Sequence, residues 1–395
     1  MKKLLIFILL SGFSLTMAAQ ETVFDNDTTG WSQHFQGRMD SLIDSPLLQT
    51  SQLGLMVYDL TADSALYTYN HRQTLRPAST MKLLTAVTGI DYLGGDYQLK
   101  TSLYYAGSIR NNTLTGNVYC VGGMDPMFDR TDMTAFVNKL RHLGIDTIRG
   151  RILADVSFKD DDRLGEGWCW DDDNPVLSPL LYDRKDNFTD VLSSELRRDG
   201  VVIVDTLVKT TRQKATFVSS RSHGIDELLT TMMKESDNLY AECLFMQLSA
   251  GSGKTATGRQ SASQVRRMIQ KVGLKPGDYK VADGSGLSLY NYVSAELEVR
   301  LLRYAWQHRG VYALLLPSLP VAGIDGTLKS RMTSGATYRN VRAKTGTLTG
   351  ISSLAGYCKA PNGHELAFCI INQGVLRIAD GRSFQDAVCH VLCEP

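Results

Sequence analysis

No charge of either sign accumulates in this chain. Lysine and arginine total 42 and aspartate and glutamate 41, a formal net charge of +1. Without a basic tract or an acidic tail, nothing marks a nucleic-acid surface or a solvating arm. Metal-ligand spacing is missing as well: no C-x-x-C pair and no His/Cys cluster occurs, so neither zinc nor another metal is expected. The seven cysteines (Cys120, Cys169, Cys243, Cys358, Cys369, Cys389 and Cys393) are scattered, and an odd number leaves at least one unpaired within a monomer. Cys243, Cys358 and Cys369 sit in apolar runs and read as buried thiols. Internal repeats and low-complexity tracts are absent. Past the first twenty residues no run is long and apolar enough to span a bilayer. A phosphate loop is also excluded: "GSGKT" at 251–255 lacks the glycine its motif requires at position 248, which is Leu248, and it follows a helical pattern, not a strand.

What is present begins with "MKKLLIFILLSGFSLTMAAQ". A basic start, an apolar run broken by Ser11, Gly12, Ser14 and Thr16, and small residues at Ala18 and Ala19 make the layout of a cleaved secretory signal peptide over residues 1–19. Export to the periplasm is the expectation, with no transmembrane segment in the mature chain. The 395 residues suffice for about two domains. "QLGLMVYDLTADSALYTYN" alternates through two short runs and predicts a hairpin. "STMKLLTAVTGIDYLG" predicts a helix ending at Gly94. From Tyr97 to Thr206 the texture changes to short β-like pieces, one amphipathic helix in "TDMTAFVNKLRHLGI", and an irregular stretch rich in Trp, Asp and Pro. Residues 97–206 therefore read as a small α/β unit inserted into a discontinuous domain of residues 20–96 and 207–395. From Ile225 long helical patterns return, beginning with "IDELLTTMMKESDNLYAECLFMQLSA". Near the end, "VRAKTGTLTGISSLAGYCKA" and "HELAFCIINQG" predict adjacent antiparallel strands, with a closing helix after them.

Three short motifs carry chemistry. In "RPASTMKLLTA", Ser79 precedes Lys82 by three positions, which share a helix face. A serine is a weak nucleophile until a base takes its proton, and a lysine is such a base only when neutral, which burial favours. Taken alone the pair is equally an ordinary helix cap. "KESDNLYAE" brings Ser236, a second hydroxyl able to relay a proton, and Asn238, whose amide both donates and accepts. On its own it reads as a turn. "RAKTGTLTG" brings Lys344, Thr345, Gly346 and Thr347. A glycine in a strand admits a second backbone, and the lysine charge with the threonine hydroxyls suits a carboxylate. The bland reading is an edge strand guarded by a lysine.

In the order S-x-x-K, S-x-N, K-T-G, the three resemble the motif set of penicillin-binding proteins and serine β-lactamases. The chain more closely resembles the PBP4-like class C low-molecular-mass penicillin-binding proteins, a D-alanyl-D-alanine carboxypeptidase/endopeptidase family. "GGMDPMF", "GWCWDDDN", "DRKDNF", "ADGSGLSLYN", "AGIDGTLKSR" and "AKTGTLTGISSLAGY" carry the likeness from Leu53 to Asn372. The long stretch between Ser79 and Ser236 fits that class. Two features depart from it: the second nested subdomain of larger relatives is missing after "DRKDNF", and Leu289 stands where the family often has arginine.

The resemblance implies an α/β (α+β) serine β-lactamase/DD-peptidase fold, with a central antiparallel sheet flanked by helices and one inserted α/β subdomain. It implies catalytic roles for Ser79, Lys82, Ser236, Asn238 and Lys344, and substrate binding by Thr345, Gly346 and Thr347. It also matches Asp155 to a position whose carboxylate meets the amine of a peptidoglycan side chain. Peptidoglycan stem peptides are the implied substrate, β-lactams the implied inhibitors, and no cofactor is implied. Two rival readings stand beside this one. A β-lactamase or D-amino-acid esterase is opposed by the long insert and by the lack of an E-x-x-L-N segment. A non-catalytic penicillin-binding wall protein is opposed by the intact motifs. Trp168 and Trp170 with Asp171 to Asp173 read as a structural cluster with a solvated acidic loop in preference to a metal or sugar site.

Overall fold

The computed structural model describes residues 28–171, 173–250 and 255–395; the expected signal peptide and most of "GSGKT" lie outside them. Along the chain, α1 (Thr28–Ile43) precedes the hairpin β1 (Gln52–Asp59) and β2 (Ser64–Tyr69), and a single 3-10 turn, Ala78–Thr80, leads into α2 (Met81–Leu93). Next come β3 (Gln98–Arg110), β4 (Thr113–Val121), α3 (Arg130–His142), β5 (Thr147–Arg149), β6 (Ile152–Asp155), α4 (Phe188–Arg198), β7 (Val202–Val204) and β8 (Thr216–Gly224). The chain continues through α5 (Ile225–Lys234), α6 (Asn238–Ala250), α7 (Gly258–Lys271), α8 (Ala295–Gln307) and α9 (Arg309–Ser318). It closes with β9 (Arg342–Leu348), β10 (Ile351–Lys359), β11 (Glu365–Gln373) and α10 (Ile378–Cys393).

Five strands form an antiparallel sheet in the order β2-β1-β11-β10-β9. Its central strands are buried at almost every position because both faces are covered. In β11, Leu366, Phe368 and Ile370 pack toward α1 and α10, while the alternate residues Ala367, Cys369 and Ile371 pack toward the layer of α2, α6 and α8. Trp31, Phe35 and Met39, spaced four apart on α1, bury one face, and Trp31 Nε1 donates to the Val391 carbonyl of α10 at 3.1 Å. The helix α2 is buried along almost its whole length, so it forms the spine of the helical layer.

The second sheet has the order β7-β5-β4-β3-β8, with β6 also on β4. Asn111 and Asn112, at φ 47° and 59°, close the β3–β4 hairpin in the left-handed geometry that a two-residue turn requires. Helices α3 and α4 cover one face through Phe136, Leu140, Phe188, Leu192 and Leu196. This sheet ends at β8, so it extends past the Thr206 boundary expected from sequence texture: β8 pairs with β3 over Gln98–Tyr105. No helix among the described residues is long and apolar enough to cross a membrane.

Two long patterns are each divided in the fold. The helical run from Ile225 breaks at Glu235–Asp237, where Ser236 takes φ 59° and Asp237 Oδ1 accepts the Tyr240 N–H at 3.1 Å to start α6 anew. The first of the two predicted C-terminal strands folds on itself: Leu348 pairs with Ile351, so Thr349 and Gly350 form a tight turn and β9 becomes the edge of the sheet.

Candidate active site

Ser79 lies in the 3-10 turn before α2, and Lys82 lies in the first turn of α2. Ala78 at φ 50° turns the chain into this short helix. Lys82 Nζ is 2.9 Å from Ser79 Oγ, so the helical spacing does bring hydroxyl and amine together. Strand β9 passes directly against the turn. A Cβ placed on Gly346 would lie 2.6 Å from the Pro77 carbonyl oxygen, 3.0 Å from the Ser79 nitrogen and 2.1 Å from Ser353 Oγ. Only glycine allows that approach. Ser353 Oγ holds the same turn by donating to the Pro77 carbonyl at 2.5 Å.

Lys82 is fully buried. Its Nζ also contacts Asn238 Oδ1 at 2.7 Å and the Ser285 carbonyl at 2.8 Å. Burial pulls its pKa down to about 8, against the opposing charges of Asp283, Glu242 and Asp237. Two of those carboxylates are buried with it. Glu242 accepts the N–H groups of Gly284 at 3.0 Å and Ser285 at 2.8 Å, and burial, then the Asp283 charge, pushes it up to about 8. Asp283 gathers the N–H groups of Gly286 (2.8 Å) and Ser288 (2.6 Å), the Asn291 amide (2.7 Å) and the Trp168 indole (2.8 Å). "ADGSGLSLYN" is thus wound around one carboxylate, and the Ser285 carbonyl is fixed toward Lys82.

Ser236, at the break between α5 and α6, is 2.8 Å from Lys344 Nζ, which also donates to the Thr345 carbonyl at 2.8 Å. Lys344 is fully buried; burial, then the neighbouring Lys82 charge, drives its pKa well below the usual lysine value, with Glu298 opposing. The Lys344 amine, expected to face a carboxylate, is enclosed against Ser236 and the Thr345 carbonyl and does not line the cavity that Ser79 and Ser236 share. Thr345 Oγ1 donates to Thr327 Oγ1 at 2.8 Å, and Thr347 is exposed. A cavity of about 340 Å³ is lined by Ser79, Ser236, Thr345 and Thr347, together with Thr327, Ser330, Arg331 and Arg382.

Asp155 does not join this group. It ends β6, accepts the Ser157 hydroxyl at 2.6 Å and pairs with Arg212, lining a different cavity of about 680 Å³. Leu289 is 46% exposed, and its carbonyl accepts Arg76 Nε at 2.9 Å. Trp168 is a buried structural residue through its bond to Asp283, whereas Trp170 is 85% exposed. Sequence reasoning passed over Glu242, Asp283, Thr327, Arg331 and Arg382. Glu242 alone left a local signal, four positions after Asn238 on the same helical face.

The chain as a whole is similar to known proteins. The D-alanyl-D-alanine carboxypeptidase of Actinomadura sp. (strain R39) is 25% identical over 85% of this chain and 80% of its own length. The crystal structure of penicillin binding protein 4 (dacB) from Haemophilus influenzae superposes with a TM-score of 0.78 at 22% identity, covering 90% of this chain and 97% of that one. The penicillin G-acylated Bd3459 predatory endopeptidase of Bdellovibrio bacteriovorus superposes with a TM-score of 0.54 at 17% identity, covering 85% and 90% of the two chains. Residues 35–180 and 178–394 match a single family description, so the chain belongs to the D-Ala-D-Ala carboxypeptidase 3 (S13) family of serine peptidases.

Proposed function

We propose that this serine DD-peptidase cleaves the terminal D-Ala-D-Ala bond, or a D-Ala cross-link, of peptidoglycan stem peptides through an acyl-enzyme on Ser79. The observation that carries the reading is the buried Lys82 amine set between Ser79 Oγ and Asn238 Oδ1. A neutral amine keeps two N–H groups and one lone pair. Asn238 Oδ1 and the Ser285 carbonyl take the two N–H groups, which leaves the lone pair to accept the Ser79 proton.

Ser79 Oγ attacks the carbonyl carbon of the penultimate D-Ala while its proton passes to Lys82. The oxyanion is held by the backbone N–H groups of Ser79 and Thr347, each worth about 3 kcal/mol. As the C–N bond breaks, Ser236, aided by Lys344, delivers a proton to the departing amine. Water then cleaves the ester, returning the free acid and the Ser79 hydroxyl. The open edge of β9 suits an extended peptide added as a further strand, with Gly346 marking its closest approach to the nucleophile. Asn238 orients the stem amide, and the Thr345 and Thr347 hydroxyls bind the terminal carboxylate. A β-lactam presents a strained amide to the same serine and is held as a persistent ester. The domain assignment belongs to the same reading, with its second boundary moved from 206 to 224: residues 20–96 and 225–395 form the catalytic unit, and the inserted unit runs from 97 through β8. Export through cleavage near Ala19 places the enzyme in the periplasm, on its substrate.

Intact mass after incubation with benzylpenicillin tests this reading. A stable adduct on the parent protein that vanishes in Ser79→Ala is the expected result. Rapid hydrolysis of the drug would move the assignment to a β-lactamase, and intact drug without an adduct would remove Ser79 as nucleophile. The N-terminal residue of the secreted protein checks the cleavage site.

A further inference from the structure

The three motifs bring two lysines to the site and expose neither. Lys82 and Lys344 are both fully buried, and their amines are engaged with Asn238, Ser285, Ser236 and Thr345. The wall they support, Thr345 and Thr347, offers neutral hydroxyls alone. Yet a D-Ala leaving group carries a carboxylate one carbon from the departing nitrogen, and an anion entering a partly desolvated cavity needs a counter-charge. Two arginines line this cavity, Arg331 and Arg382.

Arg331 is already committed. Its side chain is 10% exposed and donates to Asp386 Oδ1 at 2.6 and 3.0 Å and to Gln385 Oε1 at 3.1 Å. It also donates to the backbone carbonyl of Arg382 at 3.2 Å, steadying that turn of α10. Arg382 is exposed, and its guanidinium has no partner among the described residues. Its position follows from packing. Gly381 lies against Ser352, with a Cβ at 381 only 2.8 Å from that of Ser352, and Ser352 is the cross-strand partner of Thr347. The residue after Gly381 is thereby carried to the Thr347 end of the cavity.

We infer that Arg382 is the cation that recognises the carboxylate beside the scissile bond, acting with the hydroxyls of Thr345 and Thr347. The inference rests on the DD-peptidase reading for its natural substrate. A guanidinium suits the task better than an ammonium, because its planar fork meets a carboxylate with two parallel bonds. It also supplies, from α10, a cation that Leu289 does not supply. The same group serves carboxypeptidase and endopeptidase action wherever the leaving amine bears an α-carboxylate.

The test compares the parent, Arg382→Ala and Arg382→Lys on two acyl-D-Ala-D-Ala peptides, one ending in a free carboxylate and one in a carboxamide. The parent is expected to prefer the carboxylate. Arg382→Ala should lose roughly 10- to 100-fold in kcat/KM on the carboxylate peptide, with the carboxamide peptide changed less than about threefold. Arg382→Lys should fall between. Equal losses on both peptides, or no loss on either, would overturn the inference. Acylation by benzylpenicillin and by its methyl ester, followed by intact mass, supplies a readout independent of D-Ala release. If neither peptide is cleaved by the parent, the substrate reading fails. A preference for free acid over ester that disappears in Arg382→Ala would still uphold the role of Arg382, and a preference that persists would refute it.

Discussion

The Trp168 indole donates to Asp283 Oδ2 at 2.8 Å, joining the irregular loop between β6 and α4 to the carboxylate around which the Lys82-facing loop is wound. Trp168→Phe keeps most of the ring but leaves the buried Asp283 one donor short. Losing a bond to a buried charge costs about 1.5–3 kcal/mol, so the melting temperature should fall measurably. Acylation by benzylpenicillin should also slow, because the Ser285 carbonyl is no longer held as firmly toward Lys82. Unchanged stability would mean that Gly286, Ser288 and Asn291 suffice to satisfy the carboxylate.

Acylation should depend on pH through Lys82. Its pKa is lowered to about 8, so the neutral, base-competent form appears as pH rises. The acylation rate should climb roughly tenfold per pH unit below that value and level off above it. Glu242, Asp283 and Asp237 all face the amine and raise its pKa when ionised. Glu242→Gln preserves acceptors for Gly284 and Ser285 but removes one charge, so the midpoint should move to lower pH. A midpoint that stays in place, or moves up, would argue against electrostatic coupling between the two. Stopped-flow acylation rates across pH provide the measurement.

Gly346→Ala should be severe for a simple steric reason. The added methyl meets Ser353 Oγ, the Pro77 carbonyl and the Ser79 nitrogen within 2.1 to 3.0 Å. Overpacking of this kind costs about 1–3 kcal/mol. Because it displaces the nucleophile turn itself, acylation should fall by at least about 100-fold. Paired thermal melts and acylation rates would separate the two effects; near-parental acylation would show that the turn and β9 move apart without harm.

Arg184 reaches across to Asp237 at 2.5 Å and lies over the Tyr240 ring, 5.7 Å from its centroid. Asp237 is the residue between Ser236 and Asn238 and also caps α6. Arg184→Ala should lower the acylation rate modestly, by less than about tenfold, with little change in melting temperature, since half-exposed ion pairs contribute little stability. A loss comparable to that of Ser236→Ala would show that the pair sets the Ser236 geometry outright.

Much of the local structure follows from the sequence. The β1–β2 hairpin, the helix from Met81 to Gly94 and the apolar strand before Gln373 are written in periodicity and turn residues that act over a few positions. The divisions were harder to see. Nothing in the apolar spacing from Ile225 to Ala250 interrupts a helix; the break comes from a left-handed Ser236 and from the Asp237 side chain turning back to cap α6. β8 sits beyond a stretch of coil and belongs to the second sheet only because it pairs with β3, where Gln98 meets Gly224, 126 positions later in the chain.

The sequence by itself determined the three motifs, their order and the Ser79–Lys82 contact, since residues three apart on one helical turn meet whatever surrounds them. The tertiary structure alone decided which groups complete the site. Asn238 is 156 positions from Lys82 and Ser236 is 108 from Lys344. Their meeting depends on α6 and β9 both packing against the turn before α2. The same packing strips water from both lysines, which lowers the pKa of each and keeps Lys344 off the cavity surface. Burial is a property of the assembled layers and has no local spelling, so the charge left to face a substrate, on Arg382, became visible only once α10 had been laid against β10.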